Sequence, residues 1–258
     1  MKKNVERSGK IGAENLHGCN PSAAGIEGNC VTCPFRKKSL FRDLSVAELE
    51  LLNNKRYTES FASGESIYQE GTRPKGLICL KNGKIKIVKS IDNKTELIID
   101  LKKPVDFISV KSLMMRESYT DSAVALEDST ICVIEKDSFF KVVAQNPEFS
   151  MRLIQFFAKK LDESEKRLMN LTNKHMRARL AEALLLIYDI YGLANDGTLN
   201  VKLKRAELAS LANMIPSNAI RILSEFGKEN IIETNRRKIT IQNMESLKEL
   251  SKHGVVLK

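Results

Sequence analysis

Arg205-Ala206-Glu207-Leu208-Ala209-Ser210-Leu211-Ala212-Asn213, followed by Ile215-Pro216-Ser217-Asn218-Ala219-Ile220-Arg221-Ile222-Leu223, is the stretch on which the reading of this 258-residue chain turns. Two short helical segments meet there at a tight break, the pattern of a helix-turn-helix. Helices that cross closely need a small residue at the contact, and Ala209 supplies one. The turn needs a residue that accepts positive φ, and Asn213 is among the few types besides glycine that do. Pro216 suits the first turn of the second helix, where its missing N–H costs nothing. Leu208, Leu211, Ala219, Ile222 and Leu223 fall where the pair needs a shared core. Ser217, Asn218 and Arg221 then project together from the N-terminal half of the second helix, the part that enters a major groove in this motif. An arginine there can take guanine O6 and N7 together, and an asparagine can do the same for adenine. Arg205, at the start of the first helix, joins them as a candidate DNA contact. The same stretch taken alone also fits an ordinary pair of packed helices.

The flanking residues decide between the two. Downstream, Ile231-Ile232-Glu233-Thr234-Asn235-Arg236-Arg237-Lys238-Ile239-Thr240-Ile241 reads as a hairpin with three consecutive cations, Arg236, Arg237 and Lys238, at its tip. Such a wing suits phosphate contacts, which position a protein without reading sequence. Residues 173–258 carry 14 Lys and Arg against 9 Asp and Glu, half of the chain's net charge of +10 in one third of its length. Upstream, Ala181-Glu182-Ala183-Leu184-Leu185-Leu186-Ile187-Tyr188 forms a helix that ends near Gly192.

From Pro147 the pattern is helical for about 45 residues. Leu153, Phe157, Leu161, Ser164, Leu168 and Leu171 step by 4, 4, 3, 4 and 3, a seam at coiled-coil spacing. Its charged flanks point to pairing with a second copy of the chain through Leu153, Phe157, Leu161, Leu168 and Leu171. Ile154 and Phe156 are the residues expected to lie on the chain's own body. Between Tyr57 and Ser138 the texture is of short β segments broken by Gly, Pro, Asn and Asp, which argues for an all-β barrel or sandwich. Lys84 to Lys89 alternates strictly. A turn at residues 91–95 then leads to Leu97, Ile99 and Leu101, expected on one face. Ser45 with Glu48 forms a capping box opening a short helix. Residues 1–29 read as a flexible arm.

Four units follow: an arm at 1–29, a β-barrel sensor domain at 30–146, a dimerisation helix at 147–172 and a winged helix-turn-helix at 173–258. The fold class is α+β. No run approaches 18 apolar residues, so no membrane span is expected, and the N-terminus has no secretory pattern. A cytoplasmic protein is expected, in which the five cysteines stay free of standing disulfides. No catalytic pairing, phosphate loop or Ser/His/Asp set marks an enzyme.

The whole order of motifs resembles the Crp/Fnr family of bacterial transcription regulators, from Cys30 to about Met244. The resemblance rests on Gly64-Glu65-Ser66-Ile67-Tyr68-Gln69-Glu70-Gly71 and Leu77 to Gly83, similar to the glycine-marked turns of the cyclic-nucleotide-binding barrel. It rests also on Met176-Arg177-Ala178-Arg179-Leu180-Ala181 and on Ile220-Arg221-Ile222-Leu223-Ser224-Glu225-Phe226. Cys30-Val31-Thr32-Cys33 with Ser39-Leu40-Phe41 is similar to a Bacteroidetes-type branch. The resemblance implies a double-stranded β-helix (jelly-roll) barrel, a homodimer, palindromic double-stranded DNA as partner, and RNA polymerase as a further one.

The family's cyclic-AMP members hold the phosphate with a Gly-Glu pair and an Arg-Ser pair. The matching places here read Phe107-Ile108-Ser109-Val110 and Asp121-Ser122-Ala123, and Asp121 would meet a cyclic phosphate with like charge. Cyclic AMP is therefore not expected. The oxygen-sensing Fnr branch holds a [4Fe–4S] cluster with three N-terminal cysteines and one on a barrel strand. Cys132 matches the strand position, Cys30 and Cys33 match a close pair, and Cys19 is the remaining candidate, at unusual spacing. Cys79 matches no ligand position. Four thiolates are the count such a cluster needs. Zinc held by the same thiolates, cysteines buried as small apolar residues, and a haem or nitric-oxide sensor with one axial ligand stay open beside it.

Overall fold

The computed structural model describes residues 29–33, 36–92 and 95–253. Cys19, and the arm expected at 1–29 apart from its last residue, lie outside them. After a single 3-10 turn at Arg36–Lys38 come α1 (Val46–Asn53), β1 (Tyr57–Phe61), β2 (Ser66–Tyr68), β3 (Gly76–Asn82), β4 (Ile85–Asp92), β5 (Thr95–Lys102) and β6 (Phe107–Ile108). Then follow α2 (Val110–Met115), β7 (Ser122–Ala125), β8 (Ser129–Glu135), α3 (Lys136–Gln145), the long α4 (Pro147–Asn173) and α5 (Met176–Tyr191). The C-terminal part adds α6 (Arg205–Leu211), α7 (Pro216–Lys228), β9 (Ile232–Asn235), β10 (Lys238–Ile241) and α8 (Met244–His253).

Eight strands form the N-terminal domain as two four-stranded antiparallel sheets, β1-β8-β3-β6 and β2-β7-β4-β5. The core between them is closed by Ile78, Leu80, Ile85, Ile87, Ile108, Ala123, Ile131 and Val133. Gly83 ends the β3–β4 turn at φ +94°, and a Cβ there would stand 2.2 Å from Ser129 Oγ, so only glycine fits. The capping box forms as expected: Ser45 Oγ accepts from the Glu48 N–H, and Glu48 accepts from the Ser45 N–H at 2.7 Å.

Two expectations need correction here. Leu97, Ile99 and Leu101 do not share a face, because a bulge opposite Ile87 and Val88 pairs them with Asp100 and Ile98 and leaves Ile99 over. One extra residue moves everything beyond it to the other face, so Ile98 and Leu101 are the buried pair. Along α4, Leu153 is 3% exposed and packs with Phe149, Phe139 and Val142 on its own barrel, and Phe157 leans on the same cluster. Ile154, assigned to the barrel from the sequence, is 60% exposed instead. The free apolar stripe is Met151, Ile154, Leu161 and Leu168, while Leu171 is half-buried.

The winged helix is docked on its own barrel. Val88, Ile98 and Leu101 belong to the same apolar cluster as Leu208, Leu211, Ile222 and Phe226. The Ile98 N–H donates to Ser210 Oγ at 2.8 Å, and that hydroxyl donates to the Glu96 carbonyl at 3.0 Å. Arg167 of α4 donates to the carbonyls of Ile99, Ile98 and Leu211, which ties helix, barrel and α6 together. Lys86 and Glu207 form a 2.8 Å ion pair across the same joint. Among the described residues no helix is long and apolar enough to cross a membrane.

Candidate DNA interface and thiol pocket

α6 and α7 cross as the sequence predicts. Ala209 is 1% exposed at the contact, Asn213 takes φ 49° in the turn, and Pro216 stands in the first turn of α7. Ala219, Ile222, Leu223 and Phe226 bury one face of α7. The opposite face carries Ser217 and Arg221, both exposed, with Asn218 half-buried and donating Nδ2 to the Met176 sulfur at 3.3 Å. Ile215 and Ile220, which the sequence reading did not single out, are 61% and 53% exposed beside them. The guanidinium of Arg221 is paired with Glu225, one turn further along α7. Glu225 also accepts from Arg177 at 2.7 Å, and Arg177 reaches Glu229 at 2.8 Å. The Arg177 bond, helped by Arg221, holds the Glu225 carboxyl below the usual carboxylate range.

Arg236 and Arg237 lie exposed at the tip between β9 and β10, with Arg236 at φ 52°. Arg205 is placed differently from the other candidates. It is half-buried, donates Nη2 to the Arg236 carbonyl at 2.8 Å, and so braces the wing against α6. Lys238 is tethered to Asp196 at 2.5 Å, and that bond holds the Asp196 carboxyl far below its ordinary value.

The cysteines converge on one small pocket. Cys79 of β3 and Cys132 of β8 are direct cross-strand partners, so their side chains share one face of the sheet. Cys30 and Cys33 come from the loop before α1, anchored where the Cys30 N–H donates to Asn53 Oδ1 at 2.7 Å. All four line a cavity of about 60 Å³ with Phe41, Leu80, Val105 and Ile134, and with Arg36, Arg56 and Lys81 at its margin. Arg56 donates Nη1 to Cys132 Sγ at 3.2 Å. Burial pushes the Cys30 thiol up to about 11 and raises Cys79 and Cys132 as well, with Arg56 pulling Cys30 and Cys132 back. Among the described residues no three His, Cys, Asp or Glu side chains are arranged around one metal-ion position. The structure thus brings together three of the expected ligands, Cys30, Cys33 and Cys132, and adds Cys79. Its position on an apolar strand gave no local sign of this.

At Asp121, which the resemblance matches to the family's phosphate site, the carboxylate is paired with the chain's own side chains. Tyr68 donates its hydroxyl to Asp121 Oδ1 at 2.8 Å, and Lys111 reaches Oδ2 at 3.2 Å. The Tyr68 and Tyr119 rings stack at 3.9 Å between centroids. Asp121 is 7% exposed.

A jelly-roll barrel joined through a long helix to a winged helix-turn-helix defines a class, the two-domain DNA-binding transcription regulators. Residues 58–146 match the cyclic nucleotide-binding domain model and residues 178–250 match the Crp-like helix-turn-helix domain model. The chain belongs to the Crp/Fnr family of transcription regulators, and it is not an enzyme. It is 22% identical over 213 residues to a CRP-like cAMP-activated global transcriptional regulator of Mycobacterium tuberculosis, covering 82% of this chain and 95% of that protein. It is 21% identical over 235 residues to the fumarate and nitrate reduction regulatory protein of Yersinia pestis, covering 89% and 92%. The fold is similar to that of FixK2 from Bradyrhizobium japonicum, with a TM-score of 0.68 at 20% identity over 76% of this chain and 96% of that one.

Proposed function

We propose that the chain acts as a homodimer on palindromic double-stranded DNA, and that its barrel responds to a redox or gaseous signal rather than to cyclic AMP. The observation that carries the DNA half is the exposed face of α7, where Ser217 and Arg221 stand clear of the core. The dimer is supported by Met151, Ile154, Leu161 and Leu168, an apolar stripe left exposed by the described residues of the chain. Two recognition helices on a two-fold axis read two half-sites about one helical turn, roughly 34–36 Å, apart.

Against cyclic AMP stands Asp121, whose carboxylate already has Tyr68 and Lys111 as partners and would repel a phosphate. In favour of a redox or gaseous signal stands the thiol pocket. A [4Fe–4S] cluster bound there would be held by Cys30, Cys33, Cys132 and a fourth thiolate, and would supply one-electron, oxygen-sensitive chemistry. The signal would act as a population shift, changing how barrel and α4 pack and so the spacing of the two reading heads. The protein would work in the cytoplasm, where the dimer on a promoter would meet RNA polymerase. Selection of bound duplexes from a random pool tests the reading. The expected outcome is a palindrome whose affinity falls with salt and does not change with added cyclic AMP. Enrichment of no sequence, or of a single unpaired half-site, would overturn the dimeric reading head, and tightening by cyclic AMP would overturn the sensor.

A further inference from the structure

We propose that the cleft between the barrel, α4 and the end of α5 binds a multiply charged phosphorylated metabolite that carries a ring, of the nucleoside-polyphosphate class. Such a site is additional both to the signal read at the cysteines and to the DNA-reading face. The cleft holds about 810 Å³, within the range of roughly 300–1,000 Å³ usual for small-molecule sites. The barrel contributes the β3–β4 turn at residues 82–84 and the β5–β6 connection at residues 103–107. Residues 38–42 and the N-terminal half of α4 line it as well. Ile190, Tyr191 and Asn200 come from the winged-helix domain, so both domains build the wall. Tyr68, Lys111 and Asp121 do not line it, which sets it apart from the position that the resemblance matches to a cyclic phosphate.

The lining has the charge of an anion site. Lys38, Arg42, Lys84, Lys103, Arg152 and Lys159 stand there against Asp106 and Glu127, six cations to two acids. Glu127 is paired with Lys84 at 2.8 Å, while Arg42 and Arg152 share the Asp43 carboxylate at 3.0 and 3.3 Å. Lys38 and Lys103 make no ion pair among the described residues. Burial raises the Asp106 carboxyl, and an anion beside it would push it further toward the neutral form. A single carboxylate would leave most of this positive charge unanswered, whereas a chain of phosphates spans it. Arg152 supplies an independent sign. Its side chain is 14% exposed and pairs through Nη1, but Nε and Nη2 are shielded from solvent and have no partner among the described residues. Unpaired donors on a buried guanidinium are unfavourable. That edge is the fork that takes two phosphate oxygens at once, and a turn of the side chain toward the cleft would pair both nitrogens. Phe156 and Tyr191 bring aromatic rings to the same lining, with Lys84 Nζ 5.8 Å from the Tyr191 centroid. Rings beside cations suit a base next to its phosphates.

Equilibrium dialysis of the full chain against ATP, GTP, inorganic triphosphate, adenosine and cyclic AMP tests the site. Saturable binding of ATP or GTP, one molecule per chain and weaker as salt rises, is expected. Inorganic triphosphate and the singly charged cyclic AMP should each bind more weakly by about tenfold, the worth of one charge-assisted contact, and adenosine should not saturate. Arg152 also lies over Phe149, with Cζ 5.8 Å from the ring centroid, so the less buried lining residues carry the test. Lys103→Gln with Lys159→Gln should weaken the nucleotide by about tenfold or more. Asn200→Asp, which sets a carboxylate in the wall given by the winged-helix domain, should do the same. No saturable binding of either nucleotide, or binding that these variants leave unchanged, would overturn the site. Binding lost instead in Arg236→Ala with Arg237→Ala would place the nucleotide on the DNA face and overturn it equally. Inorganic triphosphate held as tightly as the nucleotides would overturn the ring. The dialysis needs no operator, so its failure leaves the DNA-reading face untouched.

Discussion

The reading head and the thiol pocket are built in opposite ways. The head is one contiguous segment, Arg205 to Lys228, whose helices bury one face and expose the other. The pocket draws Cys30 and Cys33, Cys79, and Cys132 from three distant parts of the chain, and all four are half-buried. A contiguous device writes itself into the local spacing of residues, and its working side chains are free of the core. A pocket assembled from distant strands depends on register, and nothing near Cys79 in sequence announces its partner. α4 stands between the two, with Phe149 and Leu153 sealed on the barrel and Leu161 and Leu168 bare.

The largest effect is expected at that bare half. Leu161→Glu with Leu168→Glu places charges on the exposed stripe without touching the barrel core. Sedimentation should give a monomer, and affinity for a palindrome should fall by about 10²–10⁴, the usual gain from linking two binding events. A persisting dimer would mean that the stripe faces something else.

Arg221→Ala comes next and acts on reading alone. Its guanidinium is 55% exposed and held by Glu225, so the helix core survives its loss. Discrimination between operator and scrambled duplex should fall by about 1–3 kcal/mol per half-site, the worth of a bidentate base contact. Equal discrimination by variant and wild type, measured by competition binding, would move the reading role away from Arg221. Arg236→Ala with Arg237→Ala should have the complementary effect. Every sequence should bind more weakly by the same factor, and the slope of log K against log[salt] should flatten by about 0.9 for each phosphate that is no longer neutralised.

How much of this was legible follows the same division. Asn213 and Pro216 marked the turn because φ preference is a property of single residues. Ser45 and Glu48 marked a helix start for a similarly local reason. The α4 seam was found with the right period but partly on the wrong face, since spacing cannot tell whether Leu153 meets its own barrel or a second chain. The bulge at Ile99 was invisible, because alternation carries no sign of an extra residue. α2, α3 and α8 were not separated from their surroundings; α2, only six residues long, leaves little periodicity to read. Cys79 matches no ligand position that the resemblance supplies, and only the β3–β8 register brings it opposite Cys132. Arg205 is a candidate DNA contact by its position at the start of α6, and its Nη2 also donates to the Arg236 carbonyl.

The smallest predicted effect concerns Lys238, where the head is not as free as its sequence suggests. Its ammonium is bound to Asp196, so a phosphate must compete with a carboxylate for it. Asp196→Asn removes the competitor and leaves the hairpin's backbone ladder in place. Binding to all sequences should strengthen slightly, and the salt slope should steepen by at most about 0.9 per half-site, the value of one neutralised phosphate. In a Lys238→Ala background the same substitution should leave the slope unchanged, which separates release of Lys238 from simple loss of a nearby negative charge. Acidification is no substitute for the substitution in ordinary buffers. The bond to Lys238 lowers the Asp196 value in the folded chain, so the tether is fully present above the ordinary carboxylate range near 3.8 and is lost only as pH falls through the depressed folded value. Between about pH 6 and 8 the carboxylate stays ionised, and any pH dependence of binding measured there must come from another group.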